Sequence, residues 1–364
     1  MVVGGGLAGA STAYFLSRHC HLKTIVLERE DHPGFHASGR NAAMVRQSAP
    51  HRDLVAALVE GARFLAKPPA EIGPVHFRAC GSVVLADDGG LRRSIPALVE
   101  RRVPVAWMEP TDVHLLVPLA IGASFAGAMY TLDDGVVDVS ALLHGYLRAA
   151  VAAGASVLTG QAVRAIRVRR GAVCEVDTDS WRIDTRAVVN AAGAWCGEIA
   201  RLAGALEIGW RPARRHLMHT GPLAAVDSSR PILWDEAHGL YFRPESGGLL
   251  LSPCDEADHP PGEPAVDPGA VEQLADKLMQ WMPRLAEVPI RRTWAGLRTL
   301  TPDGRFVVGA DPRVGGFFWC AGLGGHGVTA SASVGRMAAD AVVGRPVPAA
   351  HDPARFLRAA VTSS

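Results

Sequence analysis

The chain opens with Met1-Val2-Val3-Gly4-Gly5-Gly6-Leu7-Ala8-Gly9, a short apolar run followed by a G-x-G-x-x-G motif. Residues 11–18 predict a helix, residues 24–27 predict a second strand, and Glu28 ends that strand. Glycines at these positions allow a tight turn and bring the backbone close to a pyrophosphate, whose charge meets the amides of the helix N-terminus. An acidic residue about 20 positions further on accepts hydrogen bonds from ribose hydroxyls. The opening therefore predicts a dinucleotide site that includes Gly4, Gly6, Leu7, Ala8, Gly9 and Glu28.

Composition describes a globular chain with a large core. Of its 364 residues, 48 % are hydrophobic and 20 % are charged, and this length predicts two domains. The net charge of +1 gives no electrostatic reason to expect a nucleic-acid partner. The six cysteines are widely spaced without a C-x-x-C pair, which argues against a disulfide framework or a zinc ribbon. No apolar run is as long as the about 18 residues that a membrane span needs, and no signal-peptide pattern is present. We therefore expect a cytoplasmic protein and leave peripheral membrane attachment open.

Three further segments bear on which dinucleotide binds. After Glu28 comes a small-residue loop, with a helix predicted from about Ala42, where a nicotinamide enzyme would continue with a third strand. Residues 187–195 predict a buried strand that ends in small residues, suited to running beside a cofactor. Residues 317–329 predict an aromatic strand and a glycine turn, followed by a helix to about Val343. The positive N-terminal end of such a helix would stabilise a flavin ring, which gains negative charge on reduction. Together the segments favour FAD; an NAD-dependent dehydrogenase and an FAD-binding subunit of a larger dehydrogenase complex stay as alternatives.

Motifs along nearly the whole chain resemble the D-amino acid oxidase/glycine oxidase superfamily, and among its members the bacterial D-arginine dehydrogenases. In order they are G-G-G-L-A-G-A-S-T (4–12), V-L-E-R-E (26–30), S-G-R-N-A-A (38–43), V-V-N-A-A-G-A-W (188–195), T-W-A-G-L-R (293–298) and G-G-H-G (324–327). The resemblance implies an α/β fold with a Rossmann-type FAD-binding domain of discontinuous segments, 1–75, 138–212 and 290–364. It also implies a substrate domain built on a mixed β-sheet, 76–137 and 213–289.

The same resemblance implies oxidation of the C–N bond of an amino or imino acid, with hydride transfer to flavin N5 and hydrolysis of the imine product. Arg298 and Arg215 match arginines that bind the substrate carboxylate, and Tyr241 matches a tyrosine that hydrogen-bonds to it. A guanidinium suits this task because its paired donors fit a carboxylate. Gly325 falls where a backbone carbonyl faces the substrate amine, and His326 replaces a tyrosine of the dehydrogenases.

Further cofactor contacts follow from the matched motifs and from the strand at Val163, expected beside the adenine. They are Arg29, Ser38, Gly39, Arg40, Asn41, Ala42, Ala43, Val163, Ala192, Gly193, Trp195, Gly322, Gly324, Gly325, His326, Gly327, Val328 and Thr329, with Arg298 in a second role. We expect non-covalent FAD, because Asn41 stands where covalent relatives have a histidine and residues 299–301 include no cysteine.

Departures from the dehydrogenase pattern bear on the substrate. Met44 replaces a histidine, Ala49 falls near the place of a tyrosine, and Gly81 near that of the carboxylate that reads a substrate guanidinium. D-Arginine would then leave a buried cation unpaired, which argues against it as substrate. Arg46 is an added positive charge, resembling a flavin-side arginine of sarcosine oxidases, that we expect to bind an anion or the flavin.

The electron acceptor and a metal are the remaining questions. The oxygen-activating lysine of sarcosine oxidases has no counterpart here, since no lysine lies between Lys67 and Lys277. This favours a dehydrogenase that passes electrons to a quinone or a carrier, with O2 as the alternative. The pairs His32/His36 and His216/His219 lack a third ligand nearby, so we expect no metal.

Overall fold

The computed structural model describes residues 1–86, 91–224 and 226–359. Its α-helices are Leu7–Arg18, Arg52–Ala66, Ile95–Val99, Pro110–Leu116, Val139–Ala152, Cys196–Ala203, Pro268–Trp281, Ser331–Val342 and Arg355–Ala359. Short 3-10 helices are Leu91–Ser94, Pro118–Ala120, Gly193–Trp195 and Pro283–Leu285. No helix within the described ranges combines the length and apolar character needed to cross a membrane.

A six-stranded sheet holds the chain's opening strand near its centre. In spatial order its strands are Val307–Ala310, Phe317–Ala321, Val188–Asn190, Val2–Val3, Ile25–Leu27 and Ser156–Leu158. All neighbours are parallel except the first pair. A parallel sheet must be covered on both faces. Helices Leu7–Arg18, Val139–Ala152 and Ser331–Val342 share the core on one side, and helix Cys196–Ala203 packs on the other. This is the predicted α/β arrangement of a Rossmann-type domain.

The second large sheet is a nine-stranded mixed sheet. Along its main path the strands are Ala257–Asp258, Arg211–His219, Gly248–Ser252, Leu240–Glu245, Ile232–Asp235, Ser82–Ala86, Gly127–Thr131 and Val105–Met108, with Arg292–Leu300 paired to Arg211–His219. Side chains alternate between its two faces. One face carries Met218, Phe242 and Leu251 into a core with helix Pro268–Trp281. The opposite face carries Leu217, Tyr241 and Leu250.

Two small antiparallel sheets complete the fold. One consists of Val163–Arg169, Ala172–Thr178 and Arg182–Asp184; the other consists of Met44–Val45, Gly135–Val136 and Arg78–Ala79. The second connects the loop after Glu28 to the nine-stranded sheet, because Met44–Val45 and Arg78–Ala79 both pair with Gly135–Val136, and Arg78–Ala79 is followed by strand Ser82–Ala86.

The predicted helix from about Ala42 is wrong. Ala43 adopts a positive φ of 55°, and Met44–Val45 is a strand. The helix begins only at Arg52, after Pro50, whose ring disfavours helical geometry in the residue before it. Helix Val139–Ala152 begins after Asp138, whose carboxylate accepts a hydrogen bond from the Ala141 amide at 2.9 Å.

We propose that the two large sheets are the centres of the two domains, 1–75, 138–212 and 290–364 against 76–137 and 213–289. Strand Arg292–Leu300 is hydrogen-bonded to the nine-stranded sheet over nine consecutive residue pairs. This strand therefore makes residues of segment 290–364 part of the nine-stranded sheet.

Candidate active site

A cavity of about 500 Å³ lies between the opening glycine turn and the Tyr241 face of the nine-stranded sheet. It brings together most of the residues singled out from the sequence. Predicted residues on its wall are Gly4, Gly6, Leu7, Ala8, Glu28, Arg29, Ser38, Arg40, Asn41, Ala42, Ala43, Val163, Ala192, Gly193, Trp195, Arg215, Tyr241, Arg298, Gly322, Gly324, Gly325, Gly327 and Val328.

Four predicted residues are not on this wall: Gly9, Gly39, His326 and Thr329. Gly9 has a packing role, since a Cβ there would lie 1.8 Å from the Gly4 carbonyl oxygen. Gly39 closes a turn by donating from its amide to the His36 carbonyl at 2.9 Å. The Thr329 hydroxyl accepts a hydrogen bond from the Arg46 amide at 3.0 Å and thereby joins the glycine-rich loop to strand Met44–Val45.

Glu28 organises the nucleotide end of the cavity. Its buried carboxylate accepts hydrogen bonds from the Gly5 amide at 2.7 Å and the Glu30 amide at 2.9 Å. Each carboxylate oxygen has two lone pairs, so one remains on each oxygen for a ribose hydroxyl. Beside it, the Ser38 hydroxyl accepts the Leu7 amide at 2.9 Å, which fixes the loop after Glu28 against the N-terminus of helix Leu7–Arg18.

The amides at this end fit a pyrophosphate. Gly6 and Ala8 lie on the wall, and within the described ranges their amides have no hydrogen-bond acceptor. At the opposite end, the amides of Gly327 and Val328 also line the cavity and lack an acceptor among the described residues. Free N–H groups in glycine turns and at a helix N-terminus attract negative charge. The residues present therefore fit FAD: the first turn would hold its pyrophosphate, and the second would face its ring.

Trp195 closes the adenine end. The Arg29 guanidinium lies 4.7 Å from the centre of its ring, and the His36 ring lies 4.5 Å from it. His36 is tied to the Glu30 carboxylate at 2.8 Å. These planar side chains line the cavity together with Val163 and would provide flat surfaces for a purine.

Loop 37–43 is held from within and from the nine-stranded sheet. The Asn41 amide group donates to the Ser38 carbonyl at 2.7 Å, and its oxygen accepts the Ala43 amide at 2.8 Å. The buried Arg243 guanidinium donates to the Ala42 carbonyl at 2.7 Å. Arg243 was missed in the sequence, because only the sheet register shows that a residue two places after Tyr241 reaches this loop.

Arg215 and Arg298 are diagonal neighbours on one face of the nine-stranded sheet. Ala213 lies opposite Arg298 and Arg215 lies opposite Gly296 in the antiparallel register. Opposed residues share a face, as do residues two apart along a strand. Tyr241 is on the same face two strands away, where it stacks at 4.5 Å on Trp234, a residue that the sequence did not single out.

The arginine pair is poorly balanced by protein charge. Arg215 donates from Nε to the Asp255 carbonyl at 2.5 Å and lies 3.3 Å from Glu256, but its buried Nη1 has no partner among the described residues. Burial and the neighbouring Arg215 charge lower the pKa of Arg298. Burial raises the pKa of Tyr241 against the opposing charges of both arginines, so its phenol keeps its proton and can donate it. The arrangement is a donor-rich, positively charged corner suited to a carboxylate.

Gly325 lies directly against Arg298. Its φ of +97° belongs to the left-handed region, and a Cβ there would lie 2.8 Å from the Arg298 Cζ atom. The next residue, His326, is partly buried, and burial together with the charges of Arg46 and Arg298 lowers its pKa to about 3. His326 is therefore a neutral imidazole at neutral pH, in the field of two guanidinium groups.

The histidine pairs considered for a metal have other contacts. His216 donates from Nδ1 to the Asp255 carboxylate at 2.6 Å and accepts the Asp267 amide at Nε2 at 2.9 Å, so both ring nitrogens are used. His219 contacts the Glu245 carbonyl at 2.9 Å and the Gly221 amide at 3.0 Å. Over the described ranges, no group of three or more His, Cys, Asp or Glu side chains is placed to hold a metal ion.

Comparison with known proteins agrees with this geometry. Residues 1–341 match the family model described as FAD dependent oxidoreductase, DAO. Glycine oxidase from Bacillus licheniformis is 28 % identical over 357 residues, covering 95 % of this chain and 93 % of the relative. The structure of L-proline dehydrogenase from P. horikoshii superposes with a TM-score of 0.89 at 24 % identity, covering 98 % of this chain and 97 % of that one. Glycine oxidase from Geobacillus kaustophilus gives a TM-score of 0.80 at 25 % identity, covering 98 % and 96 %. The chain belongs to the DAO family of FAD-dependent oxidoreductases.

Proposed function

We propose that this enzyme oxidises the C–N bond of an amino or imino acid. The observation that carries the proposal is the placement of the buried Arg215 and the half-buried Arg298 on one face, on the wall of the cavity that begins at the glycine turn. The relatives with named substrates support it, since glycine and L-proline are small amino and imino acids. A nicotinamide mechanism is not retained, because the family uses FAD.

In this proposal each residue has a stated task. Arg215 and Arg298 bind the carboxylate, and the protonated Tyr241 phenol donates a further hydrogen bond to it. The Gly325 carbonyl accepts a hydrogen bond from the substrate nitrogen, which fixes the Cα–H bond relative to the ring. Bound FAD supplies the acceptor for the hydride that leaves the substrate carbon with both electrons. The nitrogen loses a proton to solvent, and water then converts the imine to a carbonyl compound and an amine.

We propose non-covalent FAD, because the Asn41 side chain is committed to its own loop. Cys320 is the cysteine on the cavity wall, and burial raises its pKa to about 12, which keeps it a thiol. D-Arginine is not the proposed substrate, since Gly81 offers no carboxylate for its guanidinium. A quinone, a carrier protein or O2 takes up the electrons.

Anaerobic mixing of the purified yellow protein with D-amino acids, N-methyl amino acids and proline analogues tests the proposal. We expect loss of the flavin's visible absorption within one turnover by members of one class. If no member reduces the flavin, the proposed function is wrong. Reduction by the isolated chain would also exclude the alternative of a non-catalytic FAD-binding subunit, and subsequent mixing with O2 or a quinone identifies the acceptor.

A further inference from the structure

Lys277 connects helix Pro268–Trp281 to the nine-stranded sheet. It is one of only three lysines in the chain, and the helix packs on the face of the sheet opposite Tyr241. The half-buried ammonium donates to the Gly239 carbonyl at 2.8 Å and to the Pro253 carbonyl at 2.7 Å. Burial lowers the pKa of this lysine. Two short hydrogen bonds to backbone carbonyls hold the side chain in one place, unlike that of a solvated surface lysine.

The first of these contacts fixes the start of the strand that contains Tyr241. Gly239 precedes strand Leu240–Glu245, and its φ of +61° lies in the left-handed region. A Cβ on Gly239 would lie 3.2 Å from the Lys277 Nζ atom, so the ammonium is packed against this turn as well as bonded to it. Tyr241 follows two residues later and lines the cavity. A shift of the Gly239 carbonyl would therefore move the backbone that carries the Tyr241 ring.

The second contact holds a strained turn. Cys254 adopts a positive φ of 52°, a conformation that a residue with a side chain keeps only where its surroundings impose it. Lys277 binds the carbonyl of Pro253, directly before it. Directly after it, the Asp255 carbonyl accepts a hydrogen bond from the Arg215 Nε atom at 2.5 Å. The lysine therefore supports the turn that aims this carbonyl at Arg215.

The two acceptors belong to neighbouring strands, at the end where no turn joins those strands. Strands Leu240–Glu245 and Gly248–Ser252 are antiparallel, with Tyr241 opposite Ser252 and their connecting turn at the far end. Strand ends open more easily than strand centres, and they do so most where no turn connects them. The Lys277 ammonium bridges this open end, so it fixes the two strands relative to each other there.

We infer that Lys277 is a positioning residue that fixes Tyr241 and Arg215 relative to each other, so that both reach one substrate carboxylate. The inference rests on the proposed function. Tyr241 and Arg215 line the cavity, whereas Lys277, Gly239 and Pro253 do not, so the lysine acts through the first two. Hydrogen bonds weaken steeply when their geometry is distorted, and a carboxylate held from two strands is sensitive to a shift between them.

Binding of propanoate, a carboxylate without a C–N bond, tests this role separately from turnover. Its Kd and that of the neutral propanamide are measured through the flavin spectrum of the FAD-loaded wild type, Lys277→Met, Lys277→Gln, Lys277→Arg and the control Lys67→Met, an exposed lysine. We expect Lys277→Met to raise the propanoate Kd by about tenfold and to change the propanamide Kd little. Lys277→Arg keeps charged donors and should stay near the wild type, as should Lys67→Met. Lys277→Gln keeps two neutral N–H donors and should lie between.

A double-mutant cycle with Tyr241→Phe shows whether the lysine acts through the tyrosine. Tyr241→Phe removes the phenol's hydrogen bond and should weaken propanoate binding in the wild-type background. In the Lys277→Met background the phenol is already displaced, so the same substitution should raise the Kd by a factor that is smaller by about twofold or more. With an amino acid that reduces the flavin, the half-saturating concentration should rise as the propanoate Kd does, while the limiting rate of reduction changes less.

Additive effects of the two substitutions, or equal propanoate affinity of Lys277→Met and the wild type, would overturn the inference. So would equally weak binding by Lys277→Met and Lys277→Gln beside wild-type binding by Lys277→Arg, because the lysine would then act through its charge alone. The Gln and Arg variants keep the comparison decisive if Lys277→Met does not fold. If propanoate binding follows the expected order but no amino acid reduces the flavin, the proposed function fails and the positioning role stands. If amino acids reduce the flavin and Lys277→Met binds propanoate as the wild type does, the reverse holds.

Discussion

Behind the cavity wall, the Asp255 carboxylate lies 2.6 Å from the His216 Nδ1 atom, and the Asp255 backbone carbonyl accepts a hydrogen bond from the Arg215 Nε atom at 2.5 Å. The same carboxylate also accepts the His216 amide at 2.8 Å. Strand Arg211–His219 and the chain around Asp255 are thereby locked together. Asp255 is not among the residues that line the cavity, but through these contacts it positions Arg215, which is.

Asp255→Asn therefore is expected to weaken substrate capture while leaving the flavin in place. Hydrogen bonds to charged groups contribute about 1.5–3 kcal/mol, so we expect KM to rise about tenfold or more, with a smaller change in kcat. Steady-state kinetics and the bound-FAD absorbance of the purified variant check this. Asp258→Asn, which removes an exposed partner of Arg211, is the matched control. Equal kinetics for both variants would remove the positioning role.

Arg298→Lys should lower kcat/KM by about 100-fold even though the charge is kept. Lysine lacks the planar pair of donors that fits a carboxylate, and at least one charge-assisted hydrogen bond is lost. The measurement is kcat/KM with the substrate found in the anaerobic screen, next to the FAD content. Wild-type kinetics in this variant would place the carboxylate elsewhere in the cavity.

Gly325→Ala should displace the Arg298 guanidinium, because the added Cβ would lie 2.8 Å from Cζ. A positive φ alone costs an alanine about 1 kcal/mol, which the control Gly344→Ala isolates: its φ is +79° and nothing lies within 4 Å of the new Cβ. We expect similar thermal stability for the two variants and a drop in kcat/KM of about tenfold or more for Gly325→Ala only. Equal activity of the two variants contradicts the contact.

Glu28→Gln should weaken FAD binding. The amide side chain keeps the size but loses the charge, and its nitrogen cannot accept from the Gly5 or Glu30 amides. The loss of one charge-assisted hydrogen bond predicts an FAD Kd raised by about tenfold or more, measured by the fluorescence of released flavin. Glu60→Gln, at a surface ion pair with Arg336, should bind FAD as the wild type does.

Asp134 gives the stability a distinct pH dependence. Burial raises the pKa of its carboxyl to about 6, while Ser82, Gln47 and Arg46 favour the ionised form. Because this value exceeds that of the unfolded chain, the contribution is fully present below about pH 3.9 and is lost as the pH rises through about 6. The difference corresponds to about 3 kcal/mol. Relative to Asp134→Asn, the wild-type Tm should therefore fall between pH 4 and 7; parallel Tm curves would contradict the assignment.

The nucleotide end of the site was predictable because its determinants are local. The opening glycines, Ser38 and Glu28 lie within 35 residues of one another. The G-x-G-x-x-G turn at residues 4–9 allows few backbone conformations. The strand predicted at residues 24–27 was equally local and is present as Ile25–Leu27. The helix predicted from Ala42 failed because the left-handed Ala43 and the strand after it depend on Asn41 and on pairing with Gly135–Val136.

The residues at the substrate end could be predicted by matching family motifs, but not from the pattern of neighbouring residues in the sequence. Arg215 and Arg298 become neighbours only through the register of two strands more than 70 residues apart. Trp234 and Arg243 gain their positions from strand order, which alternation within a single strand does not define. The burial of Arg46 likewise depends on the Trp234 ring beneath its guanidinium, and its charge alone left an anion and the flavin open as ligands.

The opening strand Val2–Val3 is hydrogen-bonded to Val188–Asn190, which in turn pairs with Phe317–Ala321. During synthesis the first of these segments leaves the ribosome long before the last, and contacts so distant in sequence close late. The nascent chain therefore contains the first glycine turn before the later glycine-rich loop has been synthesised. We therefore expect FAD to be loaded only after the last glycine-rich loop has been synthesised, so a chain truncated before Val328 should be purified without flavin absorption.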